Sequence, residues 1–276
     1  MSTIRNGPVL TRTVCAYCKA SGTLTREHLW PAALHSRLVA ADEQSSNTFW
    51  LARLQKEIPN EPQIRDVCAN CNNVILSKLD AYICCLFDNT LVHIREQHER
   101  VHFEYDYHLL KRWLLKLCFN SGRIHSSRDL FALDAVLPYI MGKSDIIGKS
   151  VQLFLQLSFP EIIPEEDIHV NVPPERPIIC RPTMNRVGHS LFRVPGVGEK
   201  LLRTVHLRSF TFYLAFFKPN EKRGVSDDFA DCFSRYTRAV LLRPSQPKIE
   251  LVCNGIGAWT SVKNSRSNKL VFDIDG

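Results

Sequence analysis

The spacing of hydrophobic positions along this chain changes character three times. Over residues 13–31 short apolar stretches flank a polar turn around Cys18 to Gly22, which predicts a knuckle and a hairpin strand over 23–29 ended by Pro31. Residues 32–41 predict a short helix, and 42–47 and 58–62 are polar and turn-rich. From Cys68 onward Ile75, Leu79, Ile83 and Leu86 recur at three- and four-residue steps, the spacing of one helical face. A helix therefore opens just behind Cys71, with Asn72 or Asn73 in its first turn. Residues 107–120 predict the clearest amphipathic helix: Leu109, Leu110, Trp113, Leu114 and Leu117 on one side, Lys111, Arg112 and Lys116 on the other. A further helix is expected over 129–141. Near Gly148 the period falls to two. Strands are expected at 151–157, 191–194, 204–207, 210–217, 239–242, 249–252 and 270–274, with a helix at 226–236 and a loop at 173–177.

This pattern predicts an α+β chain in four parts: a tail over 1–12, a small N-terminal module over 13–100, a helical segment over 101–145 and a β-rich domain over 146–276. Composition adds little to that picture. Of 276 residues, 45% are apolar, enough for a core. The net charge of +7 leans towards a polyanionic partner. No apolar stretch is long enough to span a membrane and the N-terminus has no signal core, so a cytoplasmic protein with no membrane partner is expected. In a reducing compartment its ten cysteines read as metal ligands or buried thiols. Cys84, Cys85, Cys118, Cys180, Cys232 and Cys253 are expected in the core.

The other four stand in two Cys-x-x-Cys pairs, Cys15/Cys18 and Cys68/Cys71. Each such turn presents two thiolates to one ion, and two pairs together can close a tetrahedral zinc site. The connector between the pairs is long, but closing a longer loop costs only about 0.6 kcal/mol per doubling of length. Between the pairs stands Glu27-His28-Leu29-Trp30-Pro31, and Asn72-Asn73 follows Cys71 directly. Histidine suits a general base near neutral pH. Glutamate and asparagine oxygens suit a hard divalent cation.

Cys15-x-x-Cys18, Glu27-His28-x-x-Pro31 and Cys68-x-x-Cys71-Asn72 together resemble the HNH endonucleases, the ββα-metal or His-Me finger family, in the branch stapled by a structural zinc. The resemblance covers roughly residues 13–80. It implies a treble-clef-like finger in which Cys15, Cys18, Cys68 and Cys71 hold Zn2+ away from the chemistry. It further implies that His28 is the general base, and that Glu27 and Asn72 are ligands of a catalytic Mg2+ or Mn2+. The reaction implied is hydrolysis of DNA phosphodiester bonds. The middle Asn of the family pattern is missing; the chain reads Gln63-Ile64-Arg65-Asp66-Val67 there, and Asn47 and Asn60 are the available substitutes.

Arg26 and Lys78 flank this motif and are candidate phosphate contacts, as are Lys111, Arg112 and Arg123 on the polar face of the 107–120 helix and just beyond it. Ordinary solvated charge is the alternative for each. Gly196-Val197-Gly198 is expected to be a turn, His93, His98, His102 and His108 surface residues, and Asp80 a salt-bridged carboxylate. The C-terminal half carries no catalytic constellation; target recognition, homo-oligomerisation and binding of a regulatory protein are its open roles. For the whole chain, an HNH-type DNA endonuclease of bacterial defence is the leading expectation. An inert zinc module that binds nucleic acid, an RNA-directed nuclease and an interaction scaffold are the alternatives.

Overall fold

The computed structural model describes residues 13–42, 49–51, 56–58, 61–145, 150–168, 176–194, 196–218, 220–266 and 271–273. The expected tail, Asn47, Asn60 and loop residues 173–175 lie outside these. The described chain mixes helix and strand. Strand β1 (Leu24–His28) leads into helix α1 (Ala32–Ala41), then a small hairpin of β2 (Phe49–Leu51) and β3 (Lys56–Ile58). Strand β4 (Gln63–Cys68) returns antiparallel to β1. A π-helical turn over Cys71–Leu76 runs directly into α2 (Ser77–Leu86), so Asn72 does sit in the first turn behind the second cysteine pair.

Next come β5 (Arg100–Glu104) and α3 (Tyr107–His125). Asp106 caps α3, its carboxylate accepting the Leu109 amide at 2.9 Å. The single helix expected over 129–141 is two pieces, α4 (Leu130–Ala135) and α5 (Leu137–Ile140). Pro138 lies in the first turn of α5, where its missing N–H costs nothing. The C-terminal half supplies β6 (Val151–Phe159), β7 (Glu161–Ile162), β8 (Ile179–Cys180), β9 (Asn185–Val194), β10 (Gly198–Leu207) and β11 (Phe210–Phe216). Helix α6 (Arg223–Thr237), β12 (Val240–Leu242), β13 (Lys248–Val252), β14 (Ile256–Gly257), α7 (Ala258–Arg266) and β15 (Val271–Asp273) follow.

The main sheet runs β12-β6-β11-β10-β9-β15, with β14 alongside β6. Its central pairings are antiparallel. The expected turn at Gly196-Val197-Gly198 joins β9 to β10, and both glycines adopt positive φ (74° and 85°), a region open to Gly at little cost. Strand β13 pairs with β5 rather than with the main sheet. The signal for β5 was a brief alternation, Val101 and Phe103 inward between exposed Arg100, His102 and Glu104.

Leu153, Leu155, Phe210, Phe212 and Leu214 face one way and share a large core with Trp113, Leu114 and Leu117 of α3, Leu79 and Ile83 of α2, and Tyr17, Leu24 and Val67 of the N-terminal module. Phe154, Phe192 and Ala215 face the other way and take Phe229 and Phe233 of α6. β6 and β11 read as nearly continuous apolar runs because both of their faces are covered. Helix α3 lies between the N-terminal module and the sheet. It is buried at every position from Leu110 to Arg123 except Arg112. Its lysines and arginines therefore do not form the solvent-facing side expected from amphipathicity.

Candidate functional site

The first cysteine pair sits on a tight turn. Ala20 accepts from the Cys15 amide at 2.8 Å, Cys15 accepts from the Lys19 amide at 3.0 Å, and Lys19 takes a left-handed backbone (φ 62°) to close it. The end of β4 delivers the second pair, with the Cys68 amide donating to Cys15 Sγ at 3.3 Å. The sulfurs of Cys15, Cys18, Cys68 and Cys71 all lie within 4.8 Å of one another, and those of Cys18 and Cys68 are 3.7 Å apart. A zinc tetrahedron with bonds near 2.3 Å separates its sulfurs by about 3.8 Å. The donor set and its spacing fit, and the four cysteines could hold a metal such as zinc. Burial raises the Cys15 thiol, but amides of Cys68, Cys18 and Tyr17 hydrogen-bond to it and bring it down to about 7. Burial and the neighbouring thiols push Cys71 up. A cation among the four would offset that crowding of sulfur.

The β1–β4 hairpin carries the Glu-His pair. Thr25 stands opposite Val67 and Arg26 opposite Arg65, which leaves Asp66 as an extra residue on β4. This bulge breaks the simple alternation along both strands. On β1 Glu27 is buried and His28 half-exposed; on β4 the extra residue Asp66 is fully buried.

Helix α3 answers these acids with a polar stripe at helical spacing. Lys116 Nζ sits 3.0 Å from Glu27 Oε1 and 2.6 Å from Asp80 Oδ1. Asn120 Nδ2 donates to Glu27 Oε1 (3.0 Å) and to the His28 carbonyl (2.9 Å). Its Oδ1 accepts from Tyr17 Oη (2.6 Å) and from Arg123 (2.5 Å), and Arg123 also pairs with Asp66. Glu27 Oε2 has no partner among the described residues. Asn72 Nδ2 is tied to Thr25 Oγ1 and the Arg26 carbonyl, both at 3.0 Å, while its Oδ1 has no partner among the described residues. Asn73 is exposed, its carbonyl taken by Ser77.

These groups meet at a cleft of about 740 Å³, lined by Arg26, Glu27, His28, Asn72, Asp80 and Lys116 among others. Asp80 is salt-bridged as expected, and burial holds its carboxyl above the usual range despite Lys116. Cys85 is exposed at the cleft, not in the core; Cys84, Cys118 and Cys253 are buried as expected. Arg26 is exposed at the cleft edge, and Lys78 is exposed but outside the lining.

Two proposed phosphate contacts, Lys111 and Arg123, are corrected. Lys111 is buried under Tyr107 and Tyr139, donates to the Val151 carbonyl at 2.5 Å, and is lowered by burial to about 7. Arg123 is buried on Asp66, and Arg112 is half-buried with its Nε on the Ile140 carbonyl at 3.0 Å. Helix position alone assigned these cations outward, and acids and carbonyls from distant segments took them instead.

Lys116 and Asn120 were not foreseen as site residues, nor was Glu61. The Glu61 carboxylate accepts from the Trp30 amide and contacts His28 Nδ1. That hydrogen bond, with Glu61's charge, holds the His28 imidazole above its ordinary pKa despite partial burial. No local pattern marks Glu61, which lies in a turn-rich connector. No protein-family model, curated protein or solved structure matches the chain.

Proposed function

We propose that this cleft is the active site of an HNH-type, metal-dependent endonuclease that hydrolyses DNA phosphodiester bonds, on a zinc-stapled ββα-metal finger. The observation that carries the reading is the convergence, in one cleft beside the cysteine cluster, of an imidazole, an unshared oxygen on a buried carboxylate, and an asparagine tied to the same strand. His28 takes a proton from a water molecule as its oxygen attacks phosphorus; the bond from phosphorus to the leaving sugar oxygen breaks, and that oxygen takes a proton from solvent. Glu27 and Asn72 are the residues that would hold a divalent cation, which when bound offsets charge on the phosphate and leaving oxygen. Glu27 Oε1 is fixed by Lys116 and Asn120, leaving Oε2 for this role, and the Asn72 tether turns its carbonyl oxygen away from β1. Arg26, and Arg65 opposite it, carry two exposed cations on the same hairpin. Like charges directly opposite each other on a ladder are destabilising, and a phosphate backbone would relieve them. A role in bacterial defence against foreign DNA is the context we favour.

One observation favours a second reading. Lys116 already offsets the charge of Glu27 without any metal, as an inert zinc finger that only binds nucleic acid would require. Purified wild type and His28→Ala, each with plasmid DNA or RNA, in Mg2+, Mn2+ or EDTA, separate the two. The expected result is metal-dependent DNA cutting that falls by about 10²–10⁴-fold in His28→Ala. Binding without cutting in any metal would install the inert finger, and cutting of RNA alone would redirect the substrate.

A further inference from the structure

Glu61 stands two residues ahead of β4, outside the Cys, Glu-His and Asn motif, yet its side chain is only 7% exposed. One oxygen, Oε2, meets His28 Nδ1 and the other, Oε1, accepts the Trp30 amide. The Leu29 amide donates to the Pro62 carbonyl at 3.0 Å, so the two segments are laced together at three successive residues. A carboxylate only accepts hydrogen bonds. It is satisfied here only if Nδ1 carries the ring hydrogen, which in neutral imidazole places the lone pair on Nε2. Nε2 has no partner among the described residues, and His28 lines the cleft.

We propose that Glu61 is a positioning residue for His28: it holds the imidazole in the Nδ1–H tautomer and in one ring orientation, so that Nε2 is the proton acceptor presented to the cleft. The catalytic consequence rests on the nuclease reading above, whereas the tautomer itself does not.

Glu61→Gln is the informative variant because it keeps the shape and removes one acceptor. The Trp30 amide can only donate, so it claims the single amide oxygen. The amide nitrogen then faces Nδ1, which must become an acceptor, and the hydrogen moves to Nε2. Long-range proton–nitrogen correlation spectra of 15N-histidine-labelled protein read the tautomer of neutral His28, with His28→Ala identifying the signal. The wild type is expected as Nδ1–H, Glu61→Gln as Nε2–H, and Glu61→Ala as a mixture that keeps the measurement possible if the amide variant does not fold. With DNA and divalent metal, kcat is expected to fall by up to about 10⁴-fold in Glu61→Gln, the loss seen when the acid behind a catalytic histidine becomes its amide and fixes the wrong tautomer. KM should change by less than about twofold, since an interaction used only in the transition state is lost. Nδ1–H in both variants, or a loss confined to KM, would overturn the proposal. Wild type that cuts nothing, yet switches tautomer with Glu61, upholds the positioning role and overturns the nuclease reading instead.

Discussion

The β1–β4 hairpin and the C-terminal sheet are both covered by α3, but by different chemistry. The sheet meets α3 and α6 through leucine and phenylalanine on both faces, with rings such as Phe154 and Phe233 packed edge-on at 4.8 Å. The hairpin shares the apolar core through Leu24 and Val67 but adds a polar seam to α3 through Lys116, Asn120 and Arg123, and its far end is closed by four cysteines. Apolar packing is indifferent to metal and proton concentration; buried ions and thiols are not. One end of this molecule is therefore conditional on its surroundings and the other largely is not.

The largest test of that contrast is metal removal. In small zinc modules a structural zinc supplies roughly 10–16 kcal/mol of folding free energy. Metal stripping, or Cys68→Ser, is expected to expose the amides of β1 and β4 to hydrogen exchange while those of β6 and β11 stay protected. Protected β1 amides in a zinc-free preparation would erase the contrast. Next in size is Arg123→Leu, which takes the guanidinium away from the fully buried Asp66. The expected loss is about 3–5 kcal/mol in denaturant unfolding, largely recovered by adding Asp66→Val. A loss under about 1 kcal/mol would mean that the buried pair does not hold the hairpin to α3.

The smallest effect probes one titratable group within the sheet. Burial, and then Arg186, push His206 from 6.5 down to about 4. The folded state thus favours the neutral ring. Its contribution is intact above about pH 6.5 and is lost as the pH falls towards 4, roughly 2–3 kcal/mol once partial exposure is allowed for. His206→Gln should flatten stability over that window relative to wild type, and identical pH profiles would mean that the sheet is as insensitive to protons as its apolar packing implies.

The sheet was largely legible in the sequence because β-branched and aromatic runs announce strands whatever lies opposite them. The helical start after Cys71 was legible from its apolar spacing. The candidate site was legible only in its local half: adjacent cysteines, Glu27 beside His28, and Asn72 behind Cys71. The partners of these residues come from far along the chain. Amphipathicity placed Lys111 and Lys116 of α3 in solvent because nothing nearby hinted at the Val151 carbonyl, Glu27 or Asp80. The same holds for Glu61, whose role depends on a return of the chain to residues 28–30 that no periodicity records.

Asn120 has a consequence of its own. Its carboxamide offers two hydrogens and two lone pairs, and all four are taken: Glu27 and His28 on one side, Tyr17 and Arg123 on the other. Aspartate has the same outline but would set a second acid against Glu27, and leucine would remove one hydrogen-bond partner from each of four polar groups at once. Few side chains can therefore replace Asn120 without loss, although it lies under the cleft and is not part of the lining. Among relatives of this protein, an unchanging residue here would reflect the logic of a lock inside the wall, and would be easy to mistake for a participant in the reaction.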